Sequence, residues 1–205
     1  MPARKHTQWL AKPHIDYVDS RIYSDWDIYY EEMEKIFKKV WIPICHESEI
    51  PEINDYRTAA IAEQNIVMVN LKEGVRAYEN PYNLTVAGNL DDTTWLVDCS
   101  ELHCEVKYGG MVWVTLDPNP TMDVEQWAAG AFDCIQSALD TEPLEVFHYH
   151  KGIIGSNYKL WHDTNSEFYH DYMHYFNRVT GFNEDYFARK NTGFPNGHVN
   201  VGSFE

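Results

Sequence analysis

Between Trp41 and about Asp117 the chain breaks into short β-type runs, each closed by a turn signal, and this spacing constrains the fold more than any other feature. The runs are Tyr56 to Ala62, Asn65 to Leu71, Val75 to Glu79, Thr93 to Asp98 and Met111 to Asp117. Pro51 with Asn54-Asp55, Glu73-Gly74 and Gly109-Gly110 stand between them. Short β-branched and aromatic runs cut by Gly, Pro and Asn pair with their neighbours in an antiparallel sheet. The expectation is a small antiparallel β domain over 41–118.

The flanks read as helical. Residues 1–20 are polar and Pro-interrupted, an arm. Ser24 then opens a helix, Ser24-Asp-Trp-Asp27 resembling a capping box. Trp26, Tyr29, Tyr30, Met33, Ile36, Phe37 and Val40 recur at helical spacing until Pro43 ends the run. Thr121 opens a second helix, with Val124, Trp127, Ala128, Ala131, Ile135, Ala138 and Leu139 as its apolar stripe. A strand follows at Leu144 to Ile153, and a last β-like piece, His198 to Phe204, comes after the Pro195-Asn196-Gly197 turn. The chain is therefore expected to be α+β in three parts: arm and helix (1–40), β domain (41–118), and the start of a second domain with helices against an antiparallel sheet (119–205).

The stretch from Asn157 to Phe176 carries the chemistry. On a helix, Asp163, Glu167, His170 and His174 fall within about 60° of one another. Trp161, Phe168, Tyr172 and Tyr175 take the opposite, packing side. Two His at i and i+4 can chelate one divalent metal, and a carboxylate one turn earlier can ligate, orient a ring or relay charge. The same face also reads as a solvated acidic surface. Glu167-x-x-His170 further matches the helical unit of di-iron bundles. That fold needs four long helices and a second unit, and the other Glu-x-x-His, Glu145 to His148, lies in a strand-like run.

A formal net charge of −16 argues against a nucleic acid or an anionic membrane as partner. Cys45, Cys99, Cys104 and Cys134 are scattered, with no C-x-x-C, which points to a reduced, cytoplasmic protein. Arg4 and Lys5 have no apolar stretch behind them, and no apolar run approaches about 18 residues, so neither a secretory signal nor a membrane span is expected. His148 and His150 read as a sheet surface feature, Asp163 as a cap or solvent-facing residue, His198 as turn-adjacent, and Cys45 to Glu49 as a strand-to-loop transition.

In this order the segments resemble the α subunit of Rieske-type non-haem iron oxygenases, the aromatic ring-hydroxylating dioxygenase family. Arg21-Ile-Tyr-Ser-Asp25 looks like that family's entry, as does Phe37-Lys-Lys-Val-Trp-Ile-Pro-Ile-Cys-His-Glu-Ser-Glu-Ile-Pro51. Tyr108-Gly-Gly-Met-Val-Trp-Val-Thr-Leu-Asp-Pro118 looks like the strand leaving its Rieske domain. Asn157-Tyr-Lys-Leu with Glu167-Phe-Tyr-His170 and His174 looks like its mononuclear iron motif, and Asn196-Gly-His198 like a later piece of the same domain.

The resemblance implies that His170 and His174 ligate a mononuclear Fe(II). Glu167 would stand where the family has an acidic bridge to the Rieske cluster of a neighbouring subunit. It implies O₂, a small aromatic or apolar substrate, a reductase or ferredoxin donor, an oligomer, and a role in aromatic-compound catabolism. Two departures stand out. A 2Fe–2S Rieske cluster needs a C-x-H and a C-x-x-H, and neither is present. Where the first pair would fall the chain reads Tyr78-Glu-Asn-Pro-Tyr-Asn83, and the second has no counterpart before Gly109; Cys99, His103 and Cys104 are in the wrong pattern. The carboxylate ligand would lie beyond residue 205, so the chain is expected to be an N-terminal portion. The alternative is a non-catalytic relative that serves as a scaffold or partner for intact α subunits.

Overall fold

The computed structural model describes residues 18–82, 84–133, 136, 143–166, 173, 176 and 190–203. The chain forms two compact units, Glu31–Tyr149, and Met1–Tyr30 with His150–Glu205. Among the described residues no helix is long and apolar enough to cross a membrane.

The unit 31–149 is built on a seven-stranded antiparallel sheet. Its strands are β1 (Ile42–His46), β2 (Asp55–Ile61), β3 (Gln64–Leu71), β4 (Gly74–Glu79), β5 (Ala87–Asn89), β6 (Glu101–Lys107) and β7 (Met111–Thr115), in the order β1-β7-β6-β4-β3-β2-β5. β2, β3 and β4 form a meander, with Ile61 opposite Gln64 and Leu71 opposite Gly74. The first of its turns is made by Ala62 and Glu63, both with positive φ, as a two-residue hairpin loop that follows the strand twist requires.

β3 holds the unit together. Ile66, Val67, Met68 and Val69 are all 0% exposed. Alternate side chains leave opposite faces of a strand, so this run feeds two cores. Ile66 and Met68 join Cys45, Ile50, Ile61, Ala77, Val112 and Val114; Val67 and Val69 join Tyr56, Leu90 and Leu96. A third cluster, Trp41, Trp113 and Val124, packs with Tyr108, Trp127 and Phe132. The Trp41 indole donates to the Met122 carbonyl at 2.9 Å.

Several expectations are corrected. The first helical run is broken: α1 (Arg21–Ser24) stops at Asp25, and α2 (Trp26–Glu32) continues as a π-turn over Met33–Phe37. The cap is Asp25, which accepts from Asp27 N at 2.9 Å, whereas Ser24 Oγ turns back to the Ser20 carbonyl. Pro43 does not merely end a helix but lies in β1, at the sheet edge beside a register shift, where a missing N–H is tolerated. Thr93 to Asp98 is a 3₁₀ turn (Thr94–Asp98), preceded by Asp92, which accepts from both Thr94 N and Oγ1 at 2.9 Å. β6, unread in the sequence, alternates outward charges with Leu102, Cys104 and Val106.

The second helix, α3 (Val124–Ala128), starts later than Thr121. Asp123 and Gln126 form a reciprocal capping box, and Ala129 ends the helix in a left-handed conformation. Ile135, Ala138 and Leu139 lie outside the described residues. Leu144 to Ile153 forms no strand. Within 143–149 its backbone is held instead by Val146 N donating to Ser48 Oγ at 2.9 Å, and by Arg57 over the Tyr149 ring at 4.4 Å. In the other unit, β8 (Lys190–Gly193) and β9 (Val199–Ser203) pair as an antiparallel hairpin across Pro195–Gly197, in agreement with the expected turn and final β piece.

One tie spans the β1 end of the sheet. Ser48 N donates to His46 Nδ1 at 3.1 Å, which makes that nitrogen the acceptor and leaves Nε2–H to donate to the Gly109 carbonyl at 2.6 Å. Glu49 accepts from His46 N, and Glu47 N donates to the Gly110 carbonyl. Gly110 has φ +94°, and a Cβ there would stand 2.6 Å from His46 Nε2. Gly110→Ala is expected to cost about 1–3 kcal/mol and to lower the urea midpoint of the full chain. An unchanged midpoint would mean that the His46 ring is free to move aside.

Candidate functional site

The helix α4 (Tyr158–Ser166) begins where the sequence places the functional stretch. Asn157 caps it, with Lys159 N donating to its Oδ1 at 3.0 Å. The other end of the same amide donates to the Tyr23 carbonyl at 3.1 Å, and the Tyr23 hydroxyl donates to Asp163 Oδ2 at 2.6 Å. The segment before α2 is thus tied to α4 at both its cap and its second turn. The Asp163 carboxylate holds the Tyr23 proton and raises the phenol above its ordinary range. Asp163, the first member of the acidic face, is therefore engaged as an anchor.

Glu167, His170 and His174 lie outside the described residues, as do Phe168, Tyr172, Tyr175 and Cys134. Of the aromatic side of the wheel, Trp161 is 63% exposed. An open cavity of about 400 Å³ runs beside α4, lined by Ile154, Asn157, Tyr158, Trp161 and His162 among others. Tyr158 meets His162 edge-on at 6.3 Å. Sequence reading missed Tyr23, whose role depends on a contact 140 residues along the chain and leaves no local signal.

The residues that could hold a Rieske cluster are engaged in other contacts. Cys45 and Cys104 pack in one apolar core, and burial pushes both thiols up to about 12. His103, next to Cys104 on β6, contacts the Pro118 carbonyl at 3.2 Å. Cys99 Sγ points to the Trp95 carbonyl, and the His46 ring is engaged at both nitrogens. A cluster needs two thiolates and two imidazoles converging on one site. This donor set does not fit it, and among the described residues no three His, Cys, Asp or Glu gather as metal ligands.

No protein-family model matches the chain. Against curated proteins it is 45% identical to the methanesulfonate monooxygenase hydroxylase subunit alpha of Methylosulfonomonas methylovora, over all of the chain and 61% of that protein. It is 31% identical to the 2-aminobenzenesulfonate 2,3-dioxygenase subunit alpha of an Alcaligenes species, over 95% of the chain and 58% of that protein. Among solved structures, the quaternary ammonium Rieske monooxygenase CntA with L-carnitine superposes with a TM-score of 0.67 at 22% identity, over 84% of the chain and 58% of that chain. Naphthalene 1,2-dioxygenase from Rhodococcus sp. bound to indole does so with 0.67 at 20% identity, over 86% and 51%. The structural likeness agrees with the α+β reading and its antiparallel sheet.

The chain belongs to the family of Rieske-type oxygenase α subunits, and spans about three fifths of the length of the curated relatives it matches. The first alignment runs over 255 positions although the chain has 205 residues, so 50 aligned positions have no residue here.

Buried, protonated thiols resist alkylation. With iodoacetamide at pH 8, Cys45 and Cys104 are expected to stay unmodified in the native chain and to react fully in urea, as mapped by mass spectrometry. The unfolded thiol ionises near 9.0 and the folded one near 12. The stability this burial contributes is whole below pH 9 and is lost as pH rises through 12. The urea midpoint should therefore fall in that alkaline window, and should fall less for Cys45→Ala.

Proposed function

We propose that this chain works as part of an oxygenase α subunit, holding one Fe(II) on His170 and His174. Bound there, Fe(II) supplies open coordination positions at which O₂ is activated for insertion into a small organic substrate. Glu167, one turn before the first His, links the imidazole pair to the electron donor by accepting a hydrogen bond from a ring or from the donor's own ligand. Asn157 and Tyr23 set the start and first turns of the helix that leads into this motif. The facial set needs a carboxylate as third ligand, and Asp163 is already held by Tyr23. A carboxylate supplied from outside residues 119–205 completes the site.

The observation that carries this reading is the 45% identity, over an alignment that takes in the whole chain, to a monooxygenase hydroxylase α subunit. It is supported by the Glu-x-x-His-x-x-x-His spacing just beyond α4. Two relatives matched along nearly the whole chain carry a sulfonate substrate in their names. A small organic sulfonate is therefore the first substrate to offer, with an aromatic hydrocarbon second. A reductase or ferredoxin donor, assembly into an oligomer and a reducing, cytoplasmic setting complete the proposal. A scaffold that does not turn over is the second reading, favoured by the missing cluster ligands.

Anaerobic Fe(II) titration of the full chain tests the iron site directly. One Fe(II) per chain is expected, lost in His170→Ala and in His174→Ala and kept in His162→Ala, whose ring packs edge-on against Tyr158. Absence of iron from the parent chain, or its retention in both ligand variants, would overturn the site and leave the scaffold reading.

A further inference from the structure

The segment between β4 and β6 occupies the part of the chain where the resemblance puts the cluster ligands, and its structure is closed. β4 stays paired to its end, with Ala77 opposite Leu102 and Tyr78 opposite Glu101. At its last residue Glu79 N donates to the Ser100 carbonyl at 3.0 Å, and just beyond it Asn80 N donates to the Asn65 carbonyl at 2.9 Å. Asn80 is buried, and its side-chain oxygen accepts from Leu84 N. The chain then returns to β2 as β5, with Asp55 opposite Asn89 and Arg57 opposite Ala87. Tyr56 Oη meets Thr85 Oγ1 at 2.8 Å, and Leu90 N donates to the Asn54 carbonyl at 2.9 Å.

The segment also covers the second face of the sheet. Leu90 and Leu96 seal Val67 and Val69, and Tyr82 packs edge-on against Trp95 at 5.1 Å. A Cβ on Gly88 would come within 3.0 Å of the Tyr56 ring, so β5 lies flat on that ring with no room between them. No His lies between His46 and His103, and Cys99 is the single thiol in the segment. Burial raises that thiol above its ordinary range, which disfavours the thiolate a cluster requires.

We infer that residues 80–100 seal the β domain in a cluster-free form, making it a structural module that carries no electrons. Any iron on this chain is then reduced by a donor that lies outside this β domain. The alignment to the first relative carries 50 positions with no residue here, and the connection from β4 to β6 has its own hydrogen bonds and its own core. The inference rests on the family reading for what is missing, and on this fold for what replaces it.

The test uses the full chain, produced in cells with iron and sulfide supply raised and purified without oxygen. Acid-labile sulfide is counted, the dithionite-reduced sample is examined by electron paramagnetic resonance, and hydrogen exchange is followed by residue. The expected result is no sulfide, no reduced-cluster signal, and amides of Asn80, Leu84, Leu90 and Leu96 that exchange as slowly as those of β3. Leu96→Ala should speed exchange across 80–100 and remain free of sulfide. One cluster's worth of sulfide per chain would overturn the inference. So would fast exchange of 80–100 in the parent chain while β3 is protected, because the segment would then seal nothing. Iron bound without sulfide is compatible with both proposals, whereas no iron with a protected 80–100 segment removes the iron site alone.

Discussion

A strand buried on both faces is the constraint on which the β unit depends. Ile66 to Val69 present no surface to water, and each such side chain is worth about 1.5–3 kcal/mol relative to exposure. That gain requires a layer on each side. One layer is the fold of β1, β6 and β7 back over Ile66 and Met68; the other is the connection from Leu84 to Leu96 over Val67 and Val69. A doubly buried strand reads as a continuous apolar run instead of an alternating one, and Ile-Val-Met-Val is such a run. The connection after β4 must therefore cover the second face, and Leu90 and Leu96 do so.

The other ordering contacts are polar and non-local. His46 bridges its own 3₁₀ cap and the Tyr108–Gly110 turn with one ring, using one nitrogen as acceptor and the other as donor. Asn157 divides its amide in the same way, its oxygen on the α4 cap and its nitrogen on Tyr23. A buried or half-buried group that satisfies two elements at once defines geometry more tightly than apolar contact, because leaving either partner unpaired is costly. The second tie acts on the start of α4.

The segments that were legible in the sequence are those with strong local signals. The strands of the meander, the Gly109-Gly110 turn, the start of α4 and the final hairpin all follow from periodicity and turn chemistry. Thr93 to Asp98 was misread because Trp95 and Leu96 are adjacent residues drawn to the same core, which a helical turn allows and a strand does not. β6 was hidden by its own composition, as Glu101, His103, Glu105 and Lys107 on one face dilute the apolar half. Leu144 to Ile153 has the composition of a strand, yet Phe147 and Ile153 are fully exposed and no ladder forms. Composition permits a strand, but only a neighbouring edge makes one.

By itself the sequence determined the class of chain and the antiparallel β region, because these depend on residue type and short spacing, and it offered His170 and His174 as candidate iron ligands. It also shows no C-x-H and C-x-x-H pair of the kind a Rieske cluster takes. Only the tertiary structure decided where Cys45, Cys99 and Cys104 point, that Tyr23 holds Asp163, and that residues 80–100 close the second face of the sheet. Each of these is a contact between residues far apart in the chain, and its energy comes from burial and hydrogen bonding that exist only once the layers have met.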